Sequence, residues 1–335
     1  MKDLIGLVDS SGQDLSVPAG GELAWISLTA LHEYGRTENQ DNLVVVDAAG
    51  QGTVLRDQQP VSLHHPDWPS GRLRLAVLDG MGGHAAGREV AEQAAAAIAA
   101  LPAFGTSAEL YQALDELHHR LREFHAQNTR ALRPPGTTLT LLEIPEFAAT
   151  GCEAWLYHVG DSRLYEIPPE GLPRCLTIDH VPATEFAMQG RLSEADWRRQ
   201  VHAEPHTTIS QAFAMGGSLG TSDRTRQGGR DESLIVLTDA DVPDWLHGLG
   251  DRRTIHLRSE RLYMLASDGL WAGPDPQNTI KRWTRSSVAS EDSMAGLCSM
   301  LGTLSITIAR FPRFSDNVTL VGLRIDDTAI SPKMS

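Results

Sequence analysis

The sequence predicts an α+β protein in which β-sheet layers are covered by helices. Three observations support this fold class: short apolar runs typical of strands, two amphipathic helical stripes after them, and further strand-like runs toward the end. Strands that are followed by a pair of helices, and then by strands again, are typical of sheets with helices on their faces. No internal repeat is visible in the 335 residues.

The elements up to residue 131 follow from apolar periodicity. After a polar arm over 1–22, runs at 23–28, 42–46 and 73–78 predict strands, and the proline-containing stretch 47–70 predicts a loop. A helix is predicted from about Gly87, because apolar residues recur on one face: Val90, Ala94, Ala97, Ile98 and Leu101. A second helix is predicted over about 107–131, from a stripe of Leu110, Leu114, Leu117, Leu121 and Phe124.

The second half of the chain contains more strands and one irregular segment. Strands are predicted at 137–142, 154–160 and 163–167, with a hairpin turn at Gly160-Asp161-Ser162. The segment of about 182–230 has little apolar periodicity and two glycine pairs, so we predict an inserted flap rather than a separate domain. Further strands are predicted at 233–238, 262–267 and 317–325, with a helix near 291–304.

Composition excludes several classes of protein. The net charge of −14 argues against a nucleic-acid or anionic-membrane binder. The three cysteines, Cys152, Cys175 and Cys298, lack metal-site or disulfide spacing, which indicates a reducing compartment. The first residues lack the apolar core of a signal peptide, and no run is long enough to span a membrane. We therefore expect a cytoplasmic protein with no nucleic-acid or membrane partner.

Four aspartates stand at the ends of apolar strand-like runs. Asp79, Asp161 and Asp268 each follow such a run, and Asp316 precedes one. A carboxylate at the end of a buried strand is costly unless something offsets its desolvation. If the four strand ends converge, a divalent metal is the expected partner, because hard cations prefer oxygen ligands.

The glycine-rich stretch that begins at Asp79 does not fit nucleotide binding. Asp79-Gly80-Met81-Gly82-Gly83-His84 lacks the third glycine of GxGxxG, since Ala85 stands there, and no GK[ST] follows. We interpret the glycines as allowing a tight turn that brings a backbone carbonyl, such as that of Gly80, toward a metal. A plain strand-to-helix turn is the alternative interpretation of this stretch.

Seven motifs occur in a characteristic order. They are Arg36-Thr37-Glu38-Asn39-Gln40-Asp41, Asp79-Gly80-Met81-Gly82-Gly83-His84-Ala85-Ala86-Gly87, Gly136-Thr137-Thr138, Gly160-Asp161-Ser162-Arg163, Leu176-Thr177-Ile178-Asp179-His180, Ser267-Asp268-Gly269-Leu270-Trp271 and Asp316-Asn317-Val318-Thr319. From about residue 24 to 325, this series resembles the metal-dependent type 2C serine/threonine protein phosphatases. Met81 stands where eukaryotic relatives carry a histidine, so the resemblance is to bacterial-type members.

The resemblance implies a fold, a reaction and a division of the chain. The fold would be a central sandwich of two antiparallel β-sheets flanked by helix pairs. The chain would comprise an arm over 1–22, a phosphatase domain over 23–326 with the flap at about 182–230, and a tail over 327–335. It would hydrolyse phosphoserine and phosphothreonine in a protein that a serine/threonine kinase phosphorylates, using two or three Mn²⁺ or Mg²⁺ ions.

The resemblance also implies roles for single residues. Asp79 and the carbonyl of Gly80 would bind the ions, with Asp268 and Asp316 as further ligands of the first. Asp41 matches the position for the second ion, and Asp161 with Asp268 matches a third site. Arg36 would hold the substrate phosphate, for which its planar fork of donors is suited.

Each role has a less specific alternative. Arg36 can be a surface arginine, Asp161 can close a turn, Asp179-His180 can be structural, and Asn317 can orient Asp316 rather than bind metal. His202 and His206 have HxxxH spacing, but with no predicted helix and no third ligand we interpret them as flap residues. Two other functions use the same residues: a phosphatase-like sensor or scaffold that binds a phosphoprotein with little turnover, and a small-molecule phosphomonoesterase.

Overall fold

Two antiparallel β-sheets lie face to face and form the centre of the molecule. The computed structural model describes residues 10–12, 15–29, 38–81, 85–128, 135–205, 208–217, 234–271, 273–287, 295–300 and 316–326. The cluster of apolar side chains between the sheets draws on strands of both. The predicted fold class, a sandwich of antiparallel sheets with helices on its faces, is confirmed.

The first sheet has six strands, in the order β1-β2-β16-β15-β10-β11. Their bounds are β1 (Ser10–Gly12), β2 (Gly21–Leu28), β10 (Arg163–Ile167), β11 (Arg174–Cys175), β15 (Arg261–Ala266) and β16 (Val318–Ile325). Strands from both ends of the described chain therefore pair at the centre of this sheet, because β2 lies beside β16.

The second sheet has eight strands, seven of them in the order β14-β9-β8-β6-β3-β4-β5. Their bounds are β3 (Asp41–Val46), β4 (Gln51–Arg56), β5 (Gln59–His64), β6 (Leu73–Met81), β8 (Leu139–Ile144), β9 (Gly151–Val159) and β14 (Arg252–Arg258). The eighth strand, β7 (Gly136–Thr137), pairs with the end of β6. A separate two-stranded ladder is formed by β12 (Gln211–Ala212) and β13 (Gly216–Gly217).

The apolar runs of the central strands are continuous because both faces of each sheet are covered. In β3, Leu43 and Val45 pack between the sheets, while Val44 and Val46 pack on the opposite face. That outer face is covered by helices α1 (Ala85–Ala99) and α2 (Ser107–Asn128), as the two apolar stripes predict. The apolar stripe of α2 is no longer buried near the end of the helix, where Phe124 is 50% exposed.

Helices also cover the outer face of the first sheet. Helix α5 (Pro276–Ser287) buries Trp283 against this face, and a helical segment at 295–300 buries Leu297 and Met300 there. The segment 295–300 lies within the helix predicted near 291–304, whereas α5 was not predicted. Among the described residues, no helix has the length and apolarity that crossing a membrane requires.

The loop predicted over 47–70 is wrong. This stretch contains the hairpin of β4 and β5, joined by a two-residue turn at Asp57 and Gln58. The turn carries no glycine, and Pro60 interrupts the second strand, so the local signals for a hairpin are missing. The proline is tolerated because β5 is an edge strand of its sheet.

The hairpin turn predicted at 160–162 is also wrong. Strand β9 belongs to the second sheet and β10 to the first, so these residues carry the chain from one sheet to the other. A short Gly-Asp-Ser link between two strands looks like a turn from sequence. The two strands do not pair with each other: β9 pairs with β8 and β14, and β10 pairs with β11 and β15.

Of the segment predicted as a flap, 182–205 and 208–217 are described and the remainder lies outside the described residues. The described part contains two short helices, α3 (Pro182–Met188) and α4 (Glu194–Arg198), followed by a π-helical turn (Arg199–Ala203). Its apolar side chains pack in a small cluster of their own, which also includes Leu237 and Leu246. The strand predicted at 233–238 is wrong, because the described part, 234–238, has no regular secondary structure. Leu237 is apolar because it is buried in this cluster.

Candidate metal centre

Two aspartates lie directly opposite each other on neighbouring strands of the second sheet. Asp41 opens β3 and pairs directly with Asp79 near the end of β6. Like charges directly opposite on neighbouring strands repel each other. Asp41 was predicted as a site residue only from the motif series, because it was not among the four aspartates first identified at strand ends.

The three other predicted aspartates lie at strand ends around this pair. Asp161 follows β9, Asp268 follows β15, and Asp316 precedes β16. Strands β15 and β16 are antiparallel neighbours, with Ala266 opposite Leu320, so the end of one and the start of the other coincide. The topology therefore brings residues far apart in sequence to one end of the sandwich.

The electrostatics show that all five carboxyl groups are close together. Burial raises the pKa of Asp79 well above its ordinary value, and repulsion from Asp41, Asp268, Asp316 and Asp161 raises it further. Burial also raises the pKa of Asp41 to about 7, opposed by a hydrogen bond from Ser267 and reinforced by Asp316 and Asp268. Each of the five predicted carboxylates thus contributes to one charged cluster.

Two glycines allow this close approach. A side chain at Gly80 would overlap the carbonyl oxygens of Gly87 and Gln40. A side chain at Gly269 would overlap the carbonyl oxygen of Asn317, so the absence of Cβ lets Asp268-Gly269 lie against Asp316-Asn317. The backbone N–H of Gly80 donates to the carbonyl of Gln40 at 3.1 Å, which joins the glycine stretch to the segment before β3.

Hydroxyl and amide groups hold Asp41 in place. The Ser267 hydroxyl donates to Asp41 Oδ2 at 2.7 Å, and the Asp41 backbone N–H donates to Asn39 Oδ1 at 3.0 Å. Asn39 Nδ2 donates in turn to Ser27 Oγ at 2.8 Å. These supporting groups come from β2, from the segment before β3, and from the end of β15.

A second set of polar groups supports the other side of the cluster. The Asp79 backbone N–H donates to Thr138 Oγ1 at 2.9 Å, and Thr138 Oγ1 hydrogen-bonds Ser162 Oγ at 2.6 Å. Asn317 donates its backbone N–H to Asp316 Oδ1 at 2.9 Å and its side-chain amide to the Glu38 carbonyl at 3.0 Å. The contacts of Asn317 are those of a residue that orients Asp316. The motif series contained Ser267, Thr138 and Ser162 but gave them no role.

The donor set fits a divalent metal. Five carboxylates converge, with Asp41 and Asp161 buried and the other three partly buried, and mutual repulsion penalises their charged forms. Carboxylate and carbonyl oxygens are the ligands that Mg²⁺ and Mn²⁺ prefer. A cation among them would offset both the desolvation and the repulsion.

A second cluster of titratable side chains contacts the link between β9 and β10 at Gly160. The ligand atoms of His158, His180 and Asp251 are all within 4.8 Å of one another, and the three residues are buried. Burial, followed by the proximity of His180, lowers the pKa of His158 to about 4. This group was not predicted.

Protein atoms already contact the polar atoms of that cluster. His180 Nδ1 accepts the Gly160 N–H at 3.1 Å, and His180 Nε2 contacts Asp251 Oδ1 at 3.0 Å. His158 Nε2 donates to the Ile178 carbonyl at 3.0 Å, and Asp251 Oδ2 accepts the Leu237 N–H at 2.6 Å. Such contacts are those of a structural network that supports the link before Asp161.

The neighbouring Asp179 forms a buried ion pair. Arg163 Nη2 lies 2.7 Å from Asp179 Oδ2, and the same nitrogen donates to the Val201 carbonyl of the π-helical turn at 2.8 Å. The arginine therefore joins the start of β10 to the π-helical turn after α4. These contacts agree with the structural interpretation of Asp179-His180.

Three predicted residues, Arg36, His84 and His206, lie outside the described residues. His202 stacks against Trp197 of α4, with ring centroids 5.1 Å apart.

Three solved structures with the same fold are bacterial serine/threonine phosphatases. The Streptococcus agalactiae serine/threonine phosphatase matches with a TM-score of 0.59 at 17% identity, over 91% of this chain and 100% of that one. Stp1 from Staphylococcus aureus matches with a TM-score of 0.57 at 18% identity, over 94% and 99% of the two chains. The Mycobacterium tuberculosis phosphatase PstP/Ppp matches with a TM-score of 0.52 at 20% identity, over 91% and 99%.

These matches are structural only. No protein-family model and no curated protein matches the sequence. The structural neighbours confirm, at the level of the fold, the resemblance to type 2C phosphatases that the motif order indicated.

Proposed function

Because the chain has the fold of bacterial serine/threonine phosphatases, we propose that it hydrolyses phosphoserine and phosphothreonine in proteins with the help of Mn²⁺ or Mg²⁺. One observation carries the proposal: five aspartates from distant elements converge at one end of the sandwich, where they repel one another. We further propose that the protein acts in the cytoplasm, on the phosphoprotein products of a serine/threonine kinase.

The metal ligands in this proposal are those of the cluster. Asp79 and the Gly80 carbonyl would hold the ions together with Asp268 and Asp316, and Asp41 would complete the second site. Asp161 with Asp268 would hold a third ion. Ions bound there would lower the pKa of a water molecule and offset the negative charge of the phosphate.

The protein's own part is to fix the ligands. Ser267 and Asn39 restrict Asp41, and Thr138 restricts the backbone at Asp79. Ligands that are held by such outer contacts lose little freedom when they bind a metal. Arg36 is proposed to hold the substrate phosphate through its fork of N–H donors.

Hydrolysis of a phosphothreonine peptide tests the function. We expect release of phosphate in Mn²⁺ or Mg²⁺, no release in EDTA, and loss of at least about a hundredfold in Asp268→Asn, because a ligand shared by two sites is removed. Asp67→Asn, at an exposed aspartate outside the cluster, is the control and should keep full activity. Activity that persists in EDTA or in Asp268→Asn would contradict the metal-dependent reaction.

The same preparations separate the alternative functions. A protein that binds Mn²⁺ and the peptide without releasing phosphate is a binding module. A protein that hydrolyses p-nitrophenyl phosphate but neither phosphothreonine nor phosphoserine peptides is a small-molecule phosphomonoesterase.

A further inference from the structure

The hairpin of β4 and β5 has an unusual turn. Asp57 and Gln58 form its two-residue loop, and both have positive φ values, of 49° and 62°. Two-residue hairpin loops of this kind favour Asn-Gly or Asp-Gly, because the left-handed region disfavours side chains that carry Cβ. The chain therefore keeps a strained glutamine where glycine would be the relaxed choice.

The glutamine side chain has a partner beside the metal centre. Gln58 Oε1 accepts the backbone N–H of Asn39 at 2.9 Å. Asn39 Oδ1 in turn accepts the backbone N–H of Asp41 at 3.0 Å, and the next carbonyl, that of Gln40, accepts the Gly80 N–H at 3.1 Å. A glycine at position 58 would keep the turn and lose the first of these contacts.

The other turn residue is bound to the same region. Arg88 Nη1 lies 3.1 Å from Asp57 Oδ1, and Arg88 Nε lies 3.2 Å from Glu38 Oε2. The Asp57 backbone N–H donates to Glu92 Oε1 at 2.9 Å, so helix α1 also holds the turn. The tip of the hairpin thus contacts the 38–41 segment directly through Gln58 and indirectly through Arg88.

The hairpin is itself fixed to the second sheet near this point. Asn42 Nδ2 donates to the Leu55 carbonyl at 2.8 Å, and Asn42 Oδ1 accepts the Leu55 N–H at 2.9 Å. These two bonds replace strand pairing between β3 and β4, whose paired residues are Val45 with Thr53 and Val46 with Gly52. The strand that leads into the turn is therefore bound to the start of β3 by two side-chain hydrogen bonds.

We propose that Gln58 is a positioning residue for the metal centre. Its side chain holds the 38–41 segment so that Asp41 and Gly80 present their oxygens to the same ions. The inference rests on the proposed function for the identity of those ions. It explains why a glutamine is kept in the left-handed region: the side-chain contact with Asn39 offsets the backbone strain.

Two adjacent glutamines provide a matched test. Gln58→Ala removes the contact with Asn39, whereas Gln59→Ala changes an exposed residue of the same type, one position along the hairpin. We expect calorimetric titration with Mn²⁺ to show affinity reduced roughly twofold to tenfold in Gln58→Ala, the usual range for one hydrogen bond. Gln59→Ala should bind Mn²⁺ as the unaltered protein does.

Two further variants separate positioning from folding. Gln58→Glu keeps an oxygen that can accept the Asn39 N–H, so it should restore most of the Mn²⁺ affinity. Gln58→Gly relieves the left-handed strain, so its Tm in EDTA should equal or exceed that of Gln58→Ala while its Mn²⁺ affinity stays equally low. If the loss of Mn²⁺ affinity is proportional to the loss of Tm across the three Gln58 variants and Gln59→Ala, the positioning role is overturned. Unchanged Mn²⁺ affinity in Gln58→Ala would overturn it as well.

Hydrolysis is measured separately on the same proteins. An unaltered protein that binds Mn²⁺ but releases no phosphate contradicts the proposed function alone, and the ratio of Mn²⁺ affinities still decides the role of Gln58. An unaltered protein that binds no Mn²⁺ contradicts both.

Discussion

Replacing Asp41 with asparagine is expected to stabilise the metal-free protein while it impairs the metal centre. Asp41 is buried beside Asp316 and Asp268, and its pKa is raised from 3.8 to about 7. The folded chain therefore keeps the proton on Asp41 to a higher pH than the unfolded chain does. Asparagine has nearly the same shape and carries no charge at any pH.

The size of the effect follows from the two pKa values. The stabilising contribution of the protonated carboxyl is fully present below about pH 4 and is lost as the pH rises through about 7. A difference of about three pH units corresponds to about 4 kcal/mol of unfolding free energy. Asp41→Asn should thus match the unaltered protein at pH 4 and exceed it by up to about 4 kcal/mol at pH 8.

Urea unfolding in EDTA between pH 4 and pH 8 measures this difference. Asp67→Asn, at an exposed aspartate, controls for the loss of one negative charge from the chain. Curves of unfolding free energy against pH that stay parallel for Asp41→Asn and the unaltered protein would refute the reasoning. Added Mn²⁺ should reverse the order at pH 8, since only the unaltered protein keeps all the proposed ligands.

Two other predictions concern packing and acid stability. Gly269→Ala forces a Cβ onto the carbonyl of Asn317, so we expect a loss of about 1–3 kcal/mol in unfolding free energy and weaker Mn²⁺ binding. Gly105→Ala should change neither, because the added Cβ would lie 3.4 Å from Glu109 Oε2, at the end of a flexible side chain. His158 is buried with a pKa lowered to about 4, so the contribution of its neutral ring to stability should be full above about pH 6.5 and fall by about 3 kcal/mol as the pH drops to about 4. In urea unfolding, His158→Gln should reduce the fall of the unfolding free energy between about pH 6.5 and pH 4. An equal fall in the variant would contradict its attribution to His158.

Apolar periodicity predicted the central layers because those strands and helices are covered by their neighbours. Val44 and Val46 in β3, and Leu114 in α2, are apolar for that reason. The β4–β5 hairpin could not be predicted in the same way. Its second strand is an exposed edge, and its turn is held by contacts with Asn39 and Arg88 rather than by turn residues.

The candidate site was predictable where a side chain needs a particular chemistry. A buried aspartate at a strand end is costly wherever it occurs, so Asp79 and Asp268 could be identified from the chain alone. The support of Asp41 could not. Ser267 is an ordinary polar residue at the end of β15 in the first sheet, and only the packing of the two sheets brings it to Asp41 in the second.

Calorimetric titration of Mn²⁺ into the unaltered protein and into Asp79→Asn tests the central claim most directly. Asp79 is the carboxyl whose pKa is raised by the charges of all four others, so its loss should affect every ion in the cluster. We predict that the unaltered protein binds at least two Mn²⁺ ions and that Asp79→Asn loses this binding, while Asp67→Asn retains it. Equal stoichiometry and affinity in Asp79→Asn would contradict the claim that the five aspartates form one metal centre.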